Sequence, residues 1–121
     1  MSRAVGKLGE QLAARYLKKL GYRVLAMNER LAGCEIDIIA RHKKEVVFVE
    51  VKTRQSVVAG YPEDSVTPQK VRNIERAAHC WLIDNGEQPW RVDVIAVQIG
   101  QNKPKITHFE VRTSKTCGRS V

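Results

Sequence analysis

The chain lacks any apolar run approaching the ~18–20 residues that span a bilayer as a helix. Its first twenty residues carry charges throughout, so neither a membrane span nor a secretory leader is expected. Cysteine is scarce: Cys34, Cys80 and Cys117 are odd in number, share no metal-type spacing and form no CxxC. Free thiols in a reducing cytoplasm follow, rather than a disulfide framework. GxxxxGK[ST], GxGxxG and HExxH are all absent, which removes the usual signatures of nucleotide binding and zinc proteolysis. Internal repeats, low-complexity stretches and linkers are missing too. Acidic residues are outnumbered, 13 to 21, for a net charge of +8 and a pI near 9.7. That balance favours a polyanionic partner, nucleic acid before an anionic membrane surface.

What is present fits one folded unit. At 121 residues and 43% hydrophobic content the chain has enough for one compact core. Residues 1–111 are expected to form a single domain, and the basic stretch 112–121 a mobile tail. Residues 3–20 read as an amphipathic helix, with Val5, Leu8, Leu12, Tyr16, Leu17 and Leu20 at three- and four-residue steps, started by Ser2 and ended by Gly21. Tyr22–Asn28 reads as a first strand and 28–33 as a connection. A loop over Thr53–Thr67, carrying Gly60 and Pro62, is long enough to clamp a substrate. Thr67 and Pro68 open a second helix with an apolar stripe of Val71, Ile74, Ala78, Trp81 and Leu82, closed by Asn85-Gly86. Val92–Ile99 reads as a strand buried on both faces, and Ile106–Val111 as an edge strand. His42, His79 and His108 show no common partner in the sequence. The order is helix, three strands, helix, two strands, an α/β fold with a mixed sheet and helices against its faces.

The densest chemistry lies in Glu35–Arg54, which reads as a β-hairpin turning at Lys43-Lys44. Its register sets Asp37 opposite Glu50, Glu35 opposite Lys52 and Ile39 opposite Phe48, all six on one face. Two carboxylates across a strand pair sit roughly 4.5–5.5 Å apart at Cβ and repel. Beside Ile39 and Phe48 the pair needs a shared proton, a cation or both. Mg²⁺, an oxygen-seeking ion content with one or two carboxylates plus waters, meets that need. Lys52 falls beside the same spot. Glu10 lies on the flank of the first helix, either solvated or reaching the acid pair. Lys70, with the positive end of the second helix, is placed either to hold a phosphate or simply to face solvent alongside Gln69, Arg72 and Arg76.

The Asp37…Glu50-Val51-Lys52 arrangement in this element order resembles the PD-(D/E)xK nuclease superfamily. Gly6-Lys7-Leu8-Gly9-Glu10, Leu20-Gly21-Tyr22, Glu35-Ile36-Asp37, Val47 to Arg54 and Arg91-Val92-Asp93-Val94 together look like its YraN-like branch of bacterial proteins. The resemblance implies a restriction-endonuclease-like αβββαβ core, akin to Holliday-junction resolvases, and Mg²⁺- or Mn²⁺-dependent cleavage of DNA phosphodiesters, with branched or recombination intermediates as candidate substrates and a homodimer as the candidate assembly. It implies Asp37 and Glu50 as metal ligands with the Val51 carbonyl as a further one, Lys52 as the catalytic lysine, and Glu10 and Glu35 as further catalytic residues. Arg54, Gln69 and Lys70 would contact nucleic acid, DNA rather than RNA. Two positions depart from the pattern. Cys34 stands where the family carries glycine, and Ile36 where the superfamily carries proline. A nucleic-acid-binding accessory protein without catalysis, and a protein-interaction subunit with structural acids, are the alternative readings.

Overall fold

A computed structural model describes residues 3–55, 66–100 and 102–114, and these described residues form two helices and five strands. They are α1 (Arg3–Lys19), β1 (Arg23–Leu31), β2 (Cys34–His42), β3 (Glu45–Arg54), α2 (Pro68–Asn85), β4 (Trp90–Gln98) and β5 (Lys105–Thr113). The sheet runs in the order β1-β2-β3-β4-β5. Only β3 and β4 are parallel; every other neighbouring pair is antiparallel. A parallel pair requires a crossover, and α2 supplies it. One apolar cluster joins α1 to Ile38, Ala40, Val47, Val49 and Ile95; the other joins α2 to Ile39, Val46, Phe48 and Val92. The two helices thus cover opposite faces of the sheet, the expected α/β architecture, and β4 is buried from Trp90 to Val97.

Both helices end as their sequences dictate. Gly21 takes φ +94, a conformation that costs glycine little. The Gly21 N–H then reaches the Lys18 carbonyl and the Tyr22 N–H the Leu17 carbonyl, both at 3.0 Å, a Schellman closure. At α2 the Thr67 hydroxyl accepts the Lys70 N–H at 3.1 Å, Pro68 follows, and Gly86 closes the last turn.

The buried face of α1 is narrower than the apolar stripe predicts. Leu8 and Leu20 are exposed, and the residues turned fully inward are Gly9, Ala13, Ala14 and Leu17. Small residues let the helix lie close to β3. A Cβ at Gly9 would overlap the Thr53 hydroxyl and sit 2.9 Å from Thr53 Cβ. Gly9→Ala is therefore expected to cost about 1–3 kcal/mol through overpacking, despite alanine's advantage of ~1 kcal/mol in a helix. Gly6→Ala, with nothing within 4 Å of the added Cβ, should raise the melting temperature instead. Scanning calorimetry of the two variants checks both signs.

Boundaries differ from the expectation by one or two residues at several ends, with β4 starting at Trp90 rather than Val92, and three differences matter more. β1 continues to Leu31, because residues 29–31 pair with β2 (Glu29↔Ile36, Arg30↔Glu35, Leu31↔Cys34), and Ala32 and Gly33 make the turn at positive φ. β3 runs to Arg54, each residue from Val46 held by β4, while the remainder of the anticipated clamp, residues 56–65, lies outside the described residues. β5 extends past residue 111 to Thr113, with Arg112 paired to Val92 and the Ser114 N–H bonded to the Trp90 carbonyl. Residues 115–121 of the anticipated tail, with Cys117, lie outside the described residues. No helix among the described residues is long and apolar enough to cross a membrane.

Candidate active site where the central strands part

β2 and β3 pair in the predicted register from His42↔Glu45 to Ile38↔Val49. The ladder stops there, one pair before Asp37 and Glu50. The expected pairings of Asp37 with Glu50 and Glu35 with Lys52 are therefore not formed. Beyond Ile38, β2 stays with β1 alone and β3 turns to β4. Ile36 packs on the α2 side while Ile38 packs on the α1 side, so strict alternation fails at Asp37 and the six residues do not share one face. The Asp37 side chain fills the fork instead. Its Oδ2 accepts the Val51 N–H at 2.7 Å, taking the place of a cross-strand carbonyl.

This fork is electrostatically tense. Burial, then the charge of Glu50, pushes the Asp37 carboxyl up to about 7, against the opposing pull of the Val51 N–H; Glu10 and Glu35 add smaller contributions in the same upward direction. Glu50 is buried and meets two ammonium groups on one oxygen. Lys52 Nζ lies 3.5 Å and Lys70 Nζ 3.4 Å from Oε2.

Two open pockets meet at this acid pair. The one beside α1, about 410 Å³, is lined by Gly6, Glu10, Asp37, Glu50, Lys52 and Arg54 among others. Glu10 thus reaches the acid cluster, and Asn28 Nδ2 donates to its Oε1 at 3.0 Å. The pocket beside α2, about 400 Å³, adds Arg30, Glu35, Lys70, Asn73 and Arg76 to the same two acids. Glu35 therefore sits on the far side of the fork from Lys52. Gln69 does not come to the site. It is exposed, lines neither pocket, and is bonded along its own helix to Asn73 and Arg72. Arg54 lines the first pocket while its carbonyl accepts the Ile99 N–H. Cys34 is accommodated where glycine was expected, because Gly33 before it carries the positive φ of the turn; burial pushes its thiol upward.

The sequence reading did not find Arg30, Asn73 or Arg76. Lys70, Asn73 and Arg76 recur at three-residue steps on one helical face, a usable signal. A second buried polar group was also missed. Arg91 binds Asp93 through Nε and Nη2 at 2.8 and 3.1 Å, Glu45 at 2.7 Å and the Tyr22 hydroxyl at 2.7 Å. His108 bridges Asp93 and Tyr16, at 2.6 and 2.9 Å, and His42 stacks on Tyr22 with ring centroids 4.1 Å apart. Two of the three histidines thus converge on one network, although the sequence shows no common partner for them. Burial raises the Tyr16 and Tyr22 phenols, the latter against the pull of Arg91.

Among the described residues, no group of three or more His, Cys, Asp or Glu is gathered closely enough to hold a metal by itself. The donor set at the fork is two hard carboxylates with ammonium groups alongside. It suits a cation that keeps most of its waters and takes few protein ligands. The Asp37 carboxyl is held up to about 7 by burial first and by the Glu50 charge second, and a cation placed between the two carboxylates would relieve the second of these.

Fold and site together define a mixed α/β protein with an αβββαβ-like core and paired acids at the fork of its central strands. Relatives share this chain almost from end to end. The chain belongs to the uncharacterised protein family UPF0102, the YraN-like family that its motifs resemble, whose family model matches residues 9–97. A UPF0102 protein of Alkaliphilus oremlandii is 46% identical over 114 residues, covering 91% of this chain and 97% of the relative. One of Mycolicibacterium vanbaalenii is 47% identical over 112 residues, covering 88% and 90%. One of Geobacter sulfurreducens is 46% identical over 111 residues, covering 89% and 87%.

Proposed function

We propose that this protein is a metal-dependent endonuclease that hydrolyses DNA phosphodiesters, with branched or recombination intermediates as its substrates. The observation that supports this reading most is the Asp37–Glu50 fork. Two carboxylates are held together against their own repulsion, in an open pocket that also contains Lys52 and Glu10. A purely structural site has no use for that cost. Asp37 and Glu50, with the Val51 carbonyl, are the groups that would hold Mg²⁺ or Mn²⁺. Such an ion supplies polarisation of a phosphate oxygen and a water of lowered pKa.

The protein's own residues divide the remaining work. The Lys52 ammonium, now beside Glu50, is within reach of a phosphate oxygen and offsets the charge that grows there as water attacks. Glu10, steadied by Asn28, is a carboxylate positioned to take a proton from that water. Arg54 and Lys70 hold neighbouring phosphates. The net charge of +8 draws the polyanion in, so binding should weaken steeply with salt.

A binding module without catalysis is the second reading. It is favoured by the two lysines that already balance Glu50. Incubating the protein with four-way junction, flap, single-stranded and duplex DNA in Mn²⁺ separates the two. We expect cleavage of at least one branched substrate, abolished by EDTA, together with a Mn²⁺-induced rise in melting temperature. Salt-sensitive binding without cleavage, and without a thermal shift at millimolar metal, would select the binding module.

A further inference from the structure

We propose that the pocket beside α2 is a second phosphate site, which takes a phosphodiester group of the same nucleic-acid strand next to the one at the acid pair. Arg30, Arg76 and Lys70 hold it. The inference rests on the nucleic-acid reading of the fork, and it assigns Arg30 and Arg76 a role that no motif carries.

The two pockets share Asp37 and Glu50 as a common wall, so a strand seated at the acids necessarily extends toward one pocket or both. The acids alone repel a polyanion. Cations on each side must offset them, and the pocket beside α1 has Lys52 and Arg54 for that purpose. On the other side, Arg30 comes from β1 and Arg76 from α2, two elements that converge only through the fold.

The partners of the arginines point the same way. Several arginines have acceptors, and others without one among the described residues, such as Arg15 and Arg41, line neither pocket. Arg91 has Asp93 and Glu45, Arg112 has Glu75 at 3.1 Å, and Arg72 has Gln69. Arg30 and Arg76 make no ion pair or side-chain hydrogen bond among the described residues, although both line a pocket. Arg30 stands opposite Glu35 in the β1–β2 ladder, the most favourable position for a cross-strand pair, and still forms none. Beside the Glu35 carboxylate and the two shared acids, two unengaged guanidinium forks, an ammonium group and the Asn73 amide around one opening match the several acceptor oxygens of a phosphodiester. Lys70, now 3.4 Å from Glu50, is shared between the acid pair and this second group.

The test is binding, measured apart from cleavage. Fluorescence anisotropy with a labelled single strand and a labelled four-way junction, in Ca²⁺ and over a salt series, reads affinity and charge contacts together. Arg30→Ala and Arg76→Ala are each expected to raise Kd about tenfold and to lower the salt slope by about one. Arg15→Ala, an equal loss of charge from an exposed position on α1 that lines neither pocket, should leave both within twofold. Arg76→Lys should restore the slope, because it keeps the charge, and only part of the affinity, because it loses the fork. Arg30→Gln and Arg76→Gln repeat the measurement should either alanine variant melt early. Steep, salt-sensitive binding by the wild type that the Arg30→Ala/Arg76→Ala double variant retains would overturn the second site and leave the proposed function standing. A wild type with no affinity for either probe would overturn both. Binding lost in the double variant supports the site whether or not the protein cuts DNA.

Discussion

Asp37→Asn is expected to stabilise the protein at pH 8 while removing the cleavage proposed for it. The carboxyl ionises near 3.8 in the unfolded chain and at about 7 in the folded one, chiefly through burial and then through the charge of Glu50. Between those values the folded chain holds a proton that the unfolded chain has released. Stability from this group is therefore complete below about pH 4, falls as pH rises toward 7, and is gone above it. The span corresponds to at most about 4 kcal/mol, and on the order of 2–4 kcal/mol is expected. Asparagine is neutral at every pH and keeps an oxygen for the Val51 N–H. In EDTA the variant should match the wild type near pH 4 and exceed it by roughly 10 °C in melting temperature at pH 8. Mg²⁺ or Mn²⁺ should raise the melting temperature of the wild type and not of the variant. Cleavage should fall by on the order of 10³-fold or more, since several kcal/mol of transition-state stabilisation is lost at ~1.4 kcal/mol per tenfold. In a Glu50→Gln background the stabilising effect of Asp37→Asn should shrink, because the second cause of the raised carboxyl has gone. Equal stability of wild type and Asp37→Asn at pH 8 would mean that the fork is not under electrostatic strain.

The sequence carried the fold further than it carried the site, and for physical reasons. Local signals placed α2 to the residue, because Thr67, Pro68 and Gly86 are capping chemistry that acts within one turn. The hairpin register from Ile38 to His42 was equally local. The departure of β2 from β3 at Asp37 was not legible, since it depends on β4 holding the other edge of β3. Arithmetic on the hairpin therefore brought Asp37 and Glu50 together, as the fork does, but by a pairing that does not exist. Arg30 escaped notice because β1 looked finished at Asn28, whose φ of +53 interrupts the strand conformation without ending the ladder. Leu8 and Leu20 followed helical spacing faithfully and are still exposed, because a helix that must approach β3 through Gly9 presents its small residues to the sheet. Asp93 was given no partner in a strand read as buried on both faces. Residues two apart on a strand share a face, so Arg91 and Asp93 had the spacing of a buried pair, but Tyr22, Glu45 and His108 complete it from three other elements.

That pair yields the largest expected loss of stability. Asp93 is fully buried and accepts from Arg91 twice and from His108 once. Because a carboxylate only accepts, His108 Nε2 carries the proton toward it; in the neutral ring Nδ1 is then left to accept from the Tyr16 hydroxyl. Burial works against the Arg91 guanidinium, yet the bonds and charge of Asp93 hold its pKa above the ordinary arginine value. Asp93→Ala removes that compensation and leaves Arg91 with Glu45 and Tyr22 alone. Breaking one side of a buried ion pair costs about 3–5 kcal/mol, a large share of the ~5–15 kcal/mol that typically holds a domain together. A fall of roughly 10–20 °C in melting temperature follows. The double change Arg91→Met/Asp93→Leu should cost clearly less than Asp93→Ala alone, because no unpaired charge remains inside. Near-additive losses in the four-way comparison would show instead that the two side chains contribute by packing. The network lies under the Tyr16 end of α1, whereas Gly6 and Glu10 at its other end border the acid fork. The double variant should therefore bind Mn²⁺ at the fork as the wild type does, which separates what holds the sheet together from what the fork is proposed to do.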